Sequence, residues 1–179
     1  NTRAELTLDD WRKQADMIVN WLWINNVKFI RTRTPLSHSA LMFVEEKQYH
    51  DSSGAIRKRY LYQLINPVGR LFVIPKNQLN VSGLEPRAEE MELLNTLKFN
   101  GVSSVKLEKY KPSRMEFQGR FSENEIILSN TNFNSGWQLM IDGKIQPEGL
   151  KEGPFGMLSL SPVNGNHQYA LIFRDDSYI

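Results

Sequence analysis

The sequence predicts an α+β fold, with a small helix/strand N-terminal lobe over residues 1–100 packed on a C-terminal antiparallel β-sandwich of jelly-roll-like form over residues 101–179. Three observations predict it. Helical periodicity is confined to the first hundred residues. From Val102 onward the chain breaks into about seven short apolar-alternating segments separated by turn signals, at the spacing of a sandwich. The chain is also long enough, at 179 residues, to bury a core without disulfides, of which its zero cysteines allow none.

In the N-terminal lobe, Thr7 or Asp9 caps a helix whose first turn carries Asp9 and Asp10, favourable at the positive end of the dipole. Leu8, Trp11, Ala15, Ile18 and Leu22 form its apolar stripe, which Met17, Trp21 and Ile24 widen until the last two turns read as buried. Asn25-Asn26 stops the helix, and Val27 to Thr32 reads as a strand. Leu41 to Tyr49 and Arg59 to Ile65 form a hairpin across Asp51-Ser52-Ser53-Gly54. Arg70 to Ile74 is a further short strand, and 77–83 is loop. Pro86 opens a second helix whose apolar positions Ala88, Met91 and Leu94 run toward a stop at Asn100-Gly101.

In the sandwich, Met115, Phe117, Gly119 and Phe121 alternate with Arg114, Glu116, Gln118 and Arg120, the pattern of a strand buried on one face. Ile126 to Leu128 suits a central strand. Trp137, Leu139 and Ile141 share one face before Asp142-Gly143, a strong two-residue hairpin turn from which Lys144 starts the return strand. Leu158 with Leu160, an Asn164-Gly165 turn, and Tyr169, Leu171 and Phe173 complete the set.

Composition narrows function. Lys and Arg number 22 against 20 Asp and Glu, a net charge of +2 that is too small for a phosphate-binding stripe, so nucleic acid is not an expected partner. The absence of cysteine removes thiol nucleophiles and Cys-ligated zinc. His38, His50 and His167 fall in three separate elements, and no metal site is expected. No GxSxG elbow or GxGxxG loop is present; Gly149, Gly153 and Gly156 read as turn and packing residues. Asn130, Asn132 and Asn134 have the spacing of early calcium ligands, but all are neutral and Ile141 stands where a bidentate Glu is required, so they read as turn residues. Glu45-Glu46, Glu89-Glu90 and Asp175-Asp176 are candidate acid pairs, with solvated surface as the ordinary reading. No catalytic residue and no cofactor is therefore assigned. The binding candidates are Arg57, Lys58 and Arg59, a cationic cluster suited to an anionic polymer, and Trp137 with Phe133, suited to stacking on a sugar ring or, for Trp137, to filling the core. Asn1 is not Met and follows no leader-like segment, and the chain reads as a piece of a longer polypeptide.

The stretch from Val105 to Phe117, then Ile127-Leu128-Ser129, then Ser135-Gly136-Trp137 running to Ile141-Asp142-Gly143-Lys144, resembles the C-terminal extracytoplasmic region of YfhO-like bacterial membrane proteins. In that family a GW strand closes on VDGK and a later strand carries GxHxxxxxF, matched by Gly165, His167 and Phe173. Trp21 to Ile30 looks like the family's helix and NVKY strand, with Phe29 in place of the tyrosine. Tyr60 to Ile74 looks like its following segment, with Gln63 where Glu and Gly69 where Pro is usual. The resemblance spans Trp11 to Arg174. It implies a non-catalytic domain on the outer side of the cell membrane, belonging to a polytopic protein related to lipid-linked-sugar glycosyltransferases. Its partners would be the transmembrane portion of its own chain and an envelope polysaccharide or teichoic-type acceptor. Some relatives carry a label related to 6-pyruvoyl-tetrahydropterin synthase, an enzyme whose zinc needs three clustered histidines that this sequence does not offer.

Overall fold

The computed structural model describes residues 8–79 and 102–174. These residues are an α+β arrangement of one helix and three antiparallel sheets, and the contacts divide the chain at Pro67/Val68.

The first unit holds α1 (Leu8–Ile24) and strands β1 (Phe29–Thr32), β2 (Leu41–His50) and β3 (Ile56–Leu64). The helix is interrupted at Gln14, whose φ/ψ of −131°/17° is not helical. Among residues 14–24 the buried positions are Val19, Asn20, Trp23 and Ile24, so over these turns the buried face is rotated from the expected stripe, and Trp21 is 47% exposed. The indole N–H of Trp23 donates to the Asn66 carbonyl at 2.7 Å, which meets the hydrogen-bonding need of a buried tryptophan. Asn26, in the left-handed region at φ 54°, ends the helix. The N–H groups of Asn26 and Val27 donate to the Trp23 and Leu22 carbonyls, the paired bonds that close a helix C-terminus.

The sheet order is β1-β3-β2, all antiparallel. The β2–β3 turn is built on Asp51: its carboxylate accepts from the Ser53 N–H at 2.9 Å, the Ser53 hydroxyl at 2.6 Å and the Ala55 N–H at 3.1 Å. A bulge between Phe43 and Glu45 shifts the β2 register.

The second unit is the sandwich. One sheet runs β10-β9-β13-β7-β6, the other β11-β12-β8-β4-β5. The strands are β4 (Leu71–Pro75), β5 (Ser103–Val105), β6 (Leu107–Lys111), β7 (Arg114–Phe121), β8 (Glu125–Asn132), β9 (Trp137–Ile141), β10 (Lys144–Gln146), β11 (Leu150–Glu152), β12 (Met157–Leu160) and β13 (Gly165–Phe173). Leu71, Val73, Ile127, Leu158 and Leu160 from one sheet meet Met115, Phe117, Leu139, Ile141, Tyr169 and Leu171 from the other in a single core. The chain changes sheets between β7 and β8 and again between β12 and β13, so the β8–β12 pair nests inside the β7–β13 pair, the wrapping that makes the sandwich jelly-roll-like.

The sandwich begins earlier than the expected boundary at 100/101. Leu71-Phe72-Val73-Ile74 is buried throughout, and β4 pairs with β8 on one side and β5 on the other, so it is a central strand of a sandwich sheet. Val105 and Leu107 lie in two strands, because the chain changes sheets at Lys106. Asn130 and Asn132 lie in β8 rather than in a turn. The second helix expected from Pro86 lies outside the described residues.

Candidate functional site

The two resemblance motifs meet in one strand pair. In β9–β13, Trp137 is the register partner of Phe173, their rings 5.3 Å apart, while Asp142 at the far end bonds His167. Gly136 makes the close approach possible: its carbonyl accepts from the Arg174 N–H at 2.9 Å, and a Cβ there would fall 2.6 Å from the Arg174 carbonyl oxygen. Asp142 and Gly143, at φ 47° and 78°, form the hairpin turn with both central residues in the left-handed region. The Asp142 carboxylate accepts from the Gln168 N–H at 2.9 Å and faces His167 Nδ1 at 2.6 Å. The Gln168 N–H first and then His167 hold the Asp142 carboxyl below its ordinary pKa; Asp142 and then the Asn164 carbonyl raise that of His167. Trp137 itself is 8% exposed, in the core, so the sugar-stacking reading of its ring is corrected by burial. Phe133 is half-buried and ties the β8–β9 connection to Gly156 through its N–H at 2.7 Å.

The other candidate acids and histidines are distributed. Glu45 pairs with Lys47 at 3.0 Å and Glu46 with Lys58 at 2.7 Å, on opposite faces of β2. Glu89-Glu90 and Asp175-Asp176 lie outside the described residues. His38 faces Asp16 at 2.9 Å and accepts from the Ala40 N–H, and His50 faces the Gly54 carbonyl at 3.1 Å. Among the described residues no group of three His, Asp or Glu is placed to hold a metal ion.

The exposed face of the β1-β3-β2 sheet is different. Strand alternation splits the Arg57-Lys58-Arg59 cluster: Arg57 and Arg59 share this face with Leu61 and Gln63, and Lys58 points to the other. The cluster is therefore not one patch, a correction that follows from strand geometry. Arg57 is held by Asp51 at 2.8 Å, which raises the pKa of the guanidinium; hydrogen bonds from Ser53 and then Arg57 hold the Asp51 carboxyl far below the usual carboxylate range. Lys58, bonded to Glu46, is likewise raised. Arg59 lies over the Tyr49 ring, 4.2 Å from its centroid.

Two cations absent from the sequence candidates join Arg59. Register places Lys47 directly across from it on β2, and Arg31 across from Leu61 on β1. Arg31, Lys47 and Arg59, with Glu45, Gln48, Tyr49 and Leu61, line a shallow depression of about 150 Å³. It can take a small anion with a flat or apolar neighbour. The signal for Arg31 and Lys47 was long-range register, which no local pattern carries.

The fold defines a class: an α+β chain whose larger unit is an antiparallel β-sandwich. Set against protein-family models, curated proteins and solved structures, the chain matches none. Among the described residues no helix is long and apolar enough to cross a membrane.

Proposed function

We propose that this chain is a non-catalytic, extracytoplasmic domain of a YfhO-like polytopic membrane protein, and that it positions an anionic envelope glycan or teichoic-type acceptor for a glycosyltransferase-like membrane portion. The observation that carries the binding half of this reading is the depression on the three-stranded sheet, where Arg31, Lys47 and Arg59 converge with a single carboxylate, Glu45, among them. Guanidinium groups fit phosphate oxygens by paired hydrogen bonds, and Tyr49 and Leu61 offer flat and apolar surface to a polyol or sugar ring. The sequence resemblance supplies the rest, because the motif residues that carry it are committed to packing and turn formation in β9–β13. The reaction of the parent protein would then be performed by groups outside this chain.

Titration of the chain with a soluble polyol-phosphate polymer tests this, with a neutral glucan as control. Binding is expected to the phosphate polymer, weakening with salt, and to be lost in the Arg31→Glu, Arg59→Glu double variant. Absence of binding across a panel of anionic and neutral envelope polysaccharides overturns it.

The second reading is an assembly module that docks on its own membrane portion or on another envelope protein. Trp21, 47% exposed at the end of α1, favours it, whereas Trp23 is committed to the interior. Co-purification with the membrane portion that Trp21→Ser abolishes and Arg59→Glu does not would distinguish the two.

A further inference from the structure

The face that holds the cationic depression also carries exposed apolar side chains that an anionic polymer has no use for. Phe29, Gln63 and Met42 are register partners across β1, β3 and β2, which puts them in one row on one face. Phe29 is 54% and Met42 49% exposed. The next row on that face is Arg31, Leu61 and Glu45, and beyond it lie Arg59 with Lys47 and then Arg57 with Tyr49. Along the strands the face therefore changes from apolar to cationic. Each row is two residues from the last, roughly 7 Å at the rise of a β-strand. With the strands inclined to a bilayer so that the Phe29 and Met42 row leads, that step spans the change from acyl chain to phosphate, and interfacial elements bury their apolar part to about 5–10 Å.

We infer that the exposed face of the β1-β3-β2 sheet docks on an anionic lipid bilayer, with Phe29 and Met42 dipping beneath the headgroups and Arg31, Lys47 and Arg59 lying at phosphate level. Charge complementarity selects this occupant: of the four cations on the face, Lys47 is paired with Glu45 and Arg57 with Asp51, while Arg31 and Arg59 carry no ion pair among the described residues and leave the face net positive. The inference rests on the anion-binding reading of the same cations and adds the source of the phosphate.

The test uses sedimentation of the chain with vesicles of phosphatidylcholine alone and with about a third phosphatidylglycerol, beside the soluble polyol-phosphate titration. Binding is expected only to the anionic vesicles, falling roughly fivefold for each of Arg31 and Arg59 replaced by Ser. Phe29→Ser with Met42→Gln should weaken vesicle binding about tenfold or more while leaving polymer binding unchanged. The chain has no cysteine, so Met42→Cys accepts a single environment-sensitive fluorophore, whose emission should shift blue on anionic vesicles even if the double apolar variant folds poorly. Polymer binding without vesicle binding overturns this inference and leaves the anion-binding reading standing. Loss of both defeats both. Vesicle binding indifferent to Phe29 and Met42, with no blue shift at position 42, reduces the contact to surface adsorption and also overturns it.

Discussion

In the sandwich, alternate residues of β9 and β13 face an opposing sheet and are consumed by it; in the three-stranded sheet, alternate residues of β1 and β3 face outward and keep their charge and apolar surface available. The same period of two thus gives opposite outcomes. Trp137, Leu139 and Ile141 are buried, while Phe29 and Arg31 are exposed. The comparison teaches that a conspicuous motif can be spent on packing and turn formation. Gly136, Trp137, Asp142 and His167 are held by each other and by their neighbours, so few of their polar atoms are left for a ligand.

Four perturbations sharpen this contrast, beginning with the most damaging. Phe117 is fully buried and stacked on Tyr169 with ring centroids 5.0 Å apart, so Phe117→Ala should cost roughly 3–5 kcal/mol, measured as a fall in the denaturant midpoint. By contrast, the Arg31→Glu, Arg59→Glu variant should leave stability within about 0.5 kcal/mol while abolishing binding. A large loss of stability in that variant would break the distinction between the two sheets.

Gly136→Ala comes next. Its Cβ would meet the backbone oxygen of Arg174 at 2.6 Å and the Phe173 ring at 2.8 Å, and a backbone oxygen cannot rotate away. The expected loss is about 1–3 kcal/mol in thermal unfolding, with the β9–β13 pairing loosened.

The smallest effect is confined to pH. His167 has a raised pKa, so its contribution is complete below its ordinary 6.5 and fades as pH climbs through the higher folded value. Asp142 has a lowered pKa, so its contribution is present above 3.8 and fades as pH falls through the lower folded value. The pair therefore supports the fold most between those two ordinary values. His167→Gln should lower the melting temperature more at pH 5.5 than at pH 8.5; equal losses at both would show that the imidazole acts only by its shape.

How much of this was legible in the sequence depended on range. The Trp137-to-Lys144 hairpin could be read because its alternation and its Asp142-Gly143 turn are local, and the structure keeps both. The Met115-to-Phe121 strand was equally plain. The assignment of β4 failed because its partners, β5 and β8, lie far along the chain, so nothing near Leu71 reports which sheet it joins. The cationic face was misread for the same reason. Adjacency in sequence grouped Arg57, Lys58 and Arg59, which a strand must separate, and hid Arg31 and Lys47, which only register brings to Arg59. The Asp142–His167 contact was invisible too, being made by β13 returning alongside β9.

The position of β13 carries a consequence for biosynthesis. It lies between β9 and β7, and so supplies the middle of a sheet whose other strands are all made earlier. While a ribosome is still translating the segment before Gly165, β7 and β9 have no common neighbour, and their apolar faces wait unprotected in the nascent chain. Closure of the sandwich is therefore a late, long-range event of the slow kind. The sheet is therefore expected to form only once β13 is available to pair with both neighbours.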